Sequence, residues 1–200
     1  MHFDALTIAG AVAVSIDRLP DHRGFFARTY CAQEFEALGL PAVFVQSSVS
    51  FNETRGTLRG MHFQWPPSNE SKLVRCIRGR VHDVLLDLRP ASETYLMHEA
   101  IVLDSEERNA VYVPAGVAHG FQTLEDKTEI EYQMTDFYAP TLSAGLRWND
   151  VAFGIEWPLP VAVISEQDSN CEDFNRLQFE HELRQRDVQT SKSHGVNAKE

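Results

Sequence analysis

From Leu58 to Thr135 the chain is a succession of short extended runs. Leu73–Ile77, Val81–Leu88, His98–Leu103, Ala110–Val113, Gly120–Leu124 and Glu129–Thr135 are strand-length and rich in apolar residues. Arg78-Gly79, Arg89-Pro90, Asp104-Ser105-Glu106, Pro114-Ala115-Gly116 and Glu125-Asp126 separate them. Turn signals this close together read as an antiparallel all-β sandwich or barrel, not as βαβ units. The flanks agree. Val12, Val14 and Ile16 alternate, Asp21-His22-Arg23-Gly24 is a turn before Phe25-Phe26, and Phe44 to Phe51 alternates again. Short helices are peripheral: Glu34 to Leu38, closed by Gly39 and followed by Pro41, and Cys171 to Arg186. Ser143 to Pro158 reads as a loop carrying Trp148 and Trp157. No repeat or linker divides the chain, and 200 residues suit one domain. The expected domain is 1–187, with a polar, disordered tail at 188–200.

Net charge is −11, which argues against nucleic acid and an anionic membrane surface as partners. Charge is uneven, however. Between Arg55 and Arg89 seven Lys or Arg (55, 59, 72, 75, 78, 80, 89) face three acids (Glu70, Asp83, Asp87). An acidic protein with one basic stretch can bind a small polyanion such as a nucleotide diphosphate. Cys31, Cys76 and Cys171 are odd in number and form no CxxC, which fits a reducing cytoplasm. The apolar run Leu6–Ile16 has no basic region before it and is too short to span a bilayer, so it reads as a strand.

Gly56 to Lys72 concentrates the chemistry: Arg59, His62, Gln64 and Lys72 fall within seventeen residues. Trp65-Pro66-Pro67 breaks the strand, because proline cannot donate to a ladder. A base candidate, two cations and an amide around one cavity suit an anion that loses a proton, although a single strand histidine is also an ordinary structural residue. Pro114-Ala115-Gly116-Val117-Ala118-His119 is a turn typical of the small barrels called cupins. Metal-binding cupins carry His-x-His where this chain has His62-Phe63-Gln64, so a metal would need an unusual set such as His62, His119 and His82. Metal-free proton transfer is the other use of the same barrel. His62 would be the base, since its ordinary pKa of roughly 6.5 lies near working pH. Lys72 would hold an enolate oxygen, and Tyr132 or Tyr138 would deliver the new proton.

Taken together, D-H-R-G-F-F (21–26), G-T-L-R-G-M-H-F-Q (56–64), K-L-V-R (72–75), D-V-L-L-D-L-R (83–89), P-A-G-V-A-H-G-F (114–121), Y-Q-M-T-D-F-Y-A-P (132–140), G-L-R-W-N-D (145–150) and S-E-Q-D (165–168) resemble the dTDP-4-dehydrorhamnose 3,5-epimerase family. The resemblance implies a cupin-type jelly-roll β-barrel, a homodimer with shared strands, a nucleotide-sugar substrate, and no metal or other cofactor. It implies epimerisation of a nucleotide-linked 4-keto-6-deoxyhexose at C3, C5 or both. By the same resemblance His62 is the base, Asp168 orients it, Lys72 stabilises the enolate and Tyr132 is the acid on the other ring face. Arg59 and His119 contact substrate, Gln46 and Ser48 belong to the binding wall, and Tyr138 lies near the nucleotide. Arg23 and Phe26 sit on an arm that reaches the partner's site.

The chain departs from the family pattern at Arg28 (Glu in the family), Ser48 (Asn), Glu70 (Gln) and Gln167 (Lys), and one extra residue precedes Gly56. The N3–H of thymine needs an acceptor, and arginine only donates. Arg28 in a base pocket would therefore favour cytosine or guanine. The alternatives are a C3- or C5-only epimerase of a CDP- or GDP-linked sugar, and a metal-dependent or non-catalytic cupin.

Overall fold

A computed structural model of the chain describes residues 1–196, with side chains through Val188. In chain order the elements are β1 (His2–Ala5), β2 (Val12–Ser15), β3 (Leu19–Asp21), β4 (Gly24–Phe26), α1 (Ala32–Ala37), β5 (Gln46–Asn52), β6 (Leu58–Gln64), β7 (Lys72–Arg78), β8 (Arg80–Asp87), β9 (His98–Asp104), β10 (Ala110–Val113), β11 (Val117–Thr123), β12 (Thr128–Met134), β13 (Ser143–Gly145), α2 (Glu166–Ser169) and α3 (Arg176–Val196). Two sheets hold most of the strands. One runs β1-β2-β10-β7-β12-β5, the other β13-β6-β11-β8-β9, and β3 and β4 form a separate hairpin. From β5 to β8, and again from β10 to β13, the chain changes sheet at every step. All pairings within the sheets are antiparallel. This is the expected all-β jelly roll.

Three apolar clusters explain why several strands are apolar on both faces. Val74, Leu85, Val111, Phe121 and Ile130 fill the space between the sheets. Met61, Phe63, Trp65, Val84 and Leu86 point outward from the second sheet and are covered by Phe179 of α3. Val14, Leu73 and Tyr112 point outward from the first and are covered by Phe35 of α1. Val84-Leu85-Leu86 thus serves two cores at once. At the other end of the barrel the inward positions are polar, and the cavity opens there.

Expected and observed boundaries differ in informative places. β11 begins at Val117, so His119 lies inside a strand and not in the preceding turn. Ser143–Gly145, read as loop, is β13 and pairs with Gln64 to His62 of β6. The last helix starts at Arg176, not Cys171: Asn175 Oδ1 accepts from Gln178 N at 3.1 Å and caps it. Phe174, ahead of that cap, packs on Phe153 and Phe179. Residues 188–196, read from their polarity as tail, continue the α3 backbone. Residues 197–200 of that expected tail lie outside the described residues. Among the described residues no helix is long and apolar enough to cross a membrane.

Candidate active site

Alternation along a strand puts residues three apart on opposite faces, yet Arg59 and His62 line one cavity. A bulge resolves this. His62 pairs with His119 and Arg59 with Phe121, so Gly60 and Met61 on β6 oppose Gly120 alone on β11. The extra residue resets the phase of the strand. Glycine is required on both sides. Gly60 has φ +134, and a Cβ there would stand 2.5 Å from Gly120 Cα.

His62 Nε2 lies 2.7 Å from Asp168 Oδ1, although 106 positions separate them. The loop before α2 is tied to the start of β6 by Leu58 N to Val163 O and Ala162 N to Gly56 O. Ser165 then caps α2 by accepting from Asp168 N at 3.0 Å. The other carboxylate oxygen accepts from Gly60 N at 3.3 Å. Burial alone would raise the Asp168 carboxyl; the contacts with His62, Gly60 and Ser165 outweigh it and hold the group below the usual carboxylate range. An ionised carboxylate only accepts, so in the neutral ring Nε2 of His62 carries the proton and leaves the Nδ1 lone pair free to act as base.

The cavity has two lobes of about 510 and 280 Å³, and Ser48, His62, Lys72 and Tyr132 line both. Gln46 and Tyr138 line the larger lobe, Arg59 and His119 the smaller. Tyr132 comes from β12 on the facing sheet. Its phenol is pushed well up, first by burial and then by the Asp83 carboxylate, while Arg59 and Ser50 work the other way. Lys72 Nζ pairs with Glu70 Oε2 at 3.1 Å. Arg59 has no carboxylate partner among the described residues; its Nε bonds Asn52 Oδ1 at 2.8 Å.

The remaining three expected residues are not brought to this cavity by their own chain. Arg23 and Phe26 lie on the β3–β4 hairpin, where Arg23 pairs with Asp21 at 2.6 Å and Phe26 is 72% exposed. Arg28 pairs with Glu34 at 2.9 Å. His82 points away from His62 and His119, onto Trp157, because its neighbour Asp83 takes the inward position. Among the described residues no group of three His, Cys, Asp or Glu is placed to hold a metal ion.

Sequence reasoning missed several participants. Asp83, fully buried, accepts from the His119 ring at 2.7 Å, forming a second histidine–carboxylate pair beside the first. A signal existed: an acid inside the apolar run of β8 needs a buried partner. Ser50 and Asn52 carry no comparable signal, since small polar residues are common in strands, and Glu70 stood out only as a departure from the family pattern.

The family model for dTDP-4-dehydrorhamnose 3,5-epimerase matches residues 5–176. The chain is 39% identical over 171 residues to the dTDP-4-dehydrorhamnose 3,5-epimerase of Methanothermobacter thermautotrophicus, covering 84% of this chain and 91% of that one. It is 34% identical over 172 residues to a dTDP-4-dehydrorhamnose 3-epimerase of Streptomyces niveus, covering 86% and 83%. The structure of dTDP-4-dehydrorhamnose 3,5-epimerase from Bacillus anthracis with TDP and PPi bound superposes with a TM-score of 0.83 at 32% identity, covering 86% of this chain and 99% of that one. On the strength of the matched model, these relatives and the shared architecture, the chain belongs to the dTDP-4-dehydrorhamnose 3,5-epimerase family.

Proposed function

We propose that the protein epimerises a dTDP-linked 4-keto-6-deoxyhexose at C3 and C5. The observation that carries this is His62 of β6, paired with Asp168 of α2, facing Tyr132 and Lys72 of the other sheet across one cavity. A proton next to a ketone is removable because the enolate spreads its charge onto the ketone oxygen. His62 Nδ1 takes that proton, and Asp168 stabilises the imidazolium. Lys72 faces the enolate oxygen. Tyr132 returns a proton on the opposite ring face, which inverts the centre. These side chains supply the acid, the base and the cation themselves, so the proposed reaction calls on no cofactor.

Arg59, without a carboxylate partner among the described residues, takes the diphosphate, with His119, Gln46 and Ser48 along the wall. Tyr138, exposed at the cavity mouth, stacks with the base. dTDP is favoured as carrier over CDP or GDP because the relatives named above act on dTDP sugars or hold TDP. The Glu34 pair also occupies Arg28 elsewhere. Arg23 and Phe26 serve the site of a second copy. Leu19 and Phe26 on the hairpin, and Val49 and Phe51 on the edge strand β5, are exposed apolar residues that a homodimer sharing strands would cover. Three free cysteines suit a cytoplasmic location.

The test is incubation with dTDP-, CDP- and GDP-linked 4-keto-6-deoxyhexoses in deuterated water. Deuterium at both C3 and C5 of the dTDP sugar is expected. One labelled centre would restrict the reaction to a single epimerisation, and labelling of only the CDP or GDP sugar would overturn the carrier.

A further inference from the structure

Arg59 Nε donates to Asn52 Oδ1 at 2.8 Å. A guanidinium has no acceptor, so this contact sets which way round the buried Asn52 amide lies. Its Nδ2 is then turned to β5 and β12, 3.3 Å from each of Ser50 Oγ, Ser50 O and Thr128 O. Ser50 Oγ accepts from that amide and keeps its own proton to give. Register decides where that proton can go. Tyr132 stands opposite Ser48 and Ile130 opposite Ser50, so Ser50 is the diagonal neighbour of Tyr132 on one face. Both line the smaller lobe. Ser50 also works to lower the phenol's pKa, against the upward push of burial and of Asp83.

We propose that Ser50 is a positioning residue for Tyr132: its hydroxyl, polarised by Arg59 through Asn52, holds the phenol and stabilises the phenolate formed when Tyr132 gives up its proton. This rests on the acid role of Tyr132 proposed above. In that step the tyrosine O–H bond breaks and a C–H bond forms on the ring face away from His62. The enolate electron pair returns to carbon, the C4 ketone reforms, and the negative charge passes to the phenol oxygen. That charge arrives in a half-buried place where the Asp83 carboxylate opposes it. A run of donors aimed one way, guanidinium to amide to hydroxyl, is the arrangement that offsets it, each bond strengthening the next.

The experiment separates proton loss from inversion. In deuterated water the dTDP sugar can be labelled with retention, when His62 returns deuterium to its own face, or with inversion, when Tyr132 delivers it. For Ser50→Ala, inversion is expected to fall about tenfold while labelling with retention stays within about twofold, with KM unchanged, as for loss of a hydrogen bond to a developing charge. Ser50→Thr, which keeps the hydroxyl, is expected to restore inversion. Equal loss of both outcomes, or wild-type inversion in Ser50→Ala, overturns the proposal. A second readout needs no turnover. With fluorotyrosine incorporated, the fluorine resonance missing from Tyr132→Phe is that of Tyr132. It is expected to move in Ser50→Ala and in Asn52→Ala, but not in Ser47→Ala on the opposite face of β5. A resonance that stays in place in either of the first two also overturns the proposal. A wild-type protein that neither labels nor inverts any of the sugars defeats the epimerase reading alone, and the resonance then decides the role of Ser50.

Discussion

At the scale of single residues, the site is built from pairs in which one side chain sets the state of another. Asp168 can orient His62 because both its oxygens are occupied, by the ring and by Gly60 N. Asp168→Asn replaces an obligate acceptor with a group that can also donate, and it removes the charge that favours the imidazolium. The expected result is a fall in kcat with KM nearly unchanged. A variant that binds weakly but turns over at the wild-type rate when saturated would make Asp168 a binding residue. His62→Ala is expected to lose solvent exchange by about a hundredfold or more, the usual worth of a positioned base. Exchange near the wild-type rate would end its assignment as base.

At the scale of elements, the bulge in β6 decides the geometry of the cavity. Gly60 and Gly120 let two strands approach more closely than any side chain allows. Gly60→Ala would drive a methyl group into the Gly120 backbone at a φ of +134. Overpacking of this kind costs about 1–3 kcal/mol, with the strained φ adding to it. Urea melts should show that loss. The variant should also lose exchange activity beyond what its folded fraction explains, because Arg59 and His62 no longer share a face. A stable variant with full activity would mean that the bulge does not set the site.

At the scale of the whole molecule, Asp87 is a buried charge whose partner Arg89 ties its loop to the N-terminal part of the chain. It accepts from Arg89, Ser92 and Thr94, and the same arginine reaches Ala9 O near the N-terminus at 2.7 Å. Burial would raise this carboxyl; the bonds from Arg89, Ser92 and Thr94 outweigh it and hold it below its ordinary value. A depressed folded pKa contributes stability that is present above the unfolded value, about 3.9, and is lost as pH falls through the folded one. Asp87→Asn should therefore cost about 3 kcal/mol at neutral pH and flatten the acid limb of the stability profile. An unchanged acid limb would show that Asp87 does not link pH to folding.

Strand identity was legible from the sequence because turn residues and apolar spacing act locally, as at Ala110–Val113, where expected and observed limits coincide. His62 and Lys72 were legible as candidates because they stand close together in one polar stretch. Asp168, the partner of His62, was named by the family resemblance alone, because no spacing along the chain shows it. Asp168 reaches His62 only because a parallel bridge between Thr57 and Val163 brings the loop before α2 back to β6. The helix starts at Arg176 and not at Cys171: Asn175 caps it there, and Phe174 turns aside to pack on Phe153 and Phe179. The polar run Arg59–Asn52–Ser50 crosses from one sheet to the other, which no spacing along the chain encodes. Local chemistry thus determined the strands and singled out His62 as the candidate base. Contacts between residues far apart in sequence, which exist only once the sheets face each other, decided which groups act on it.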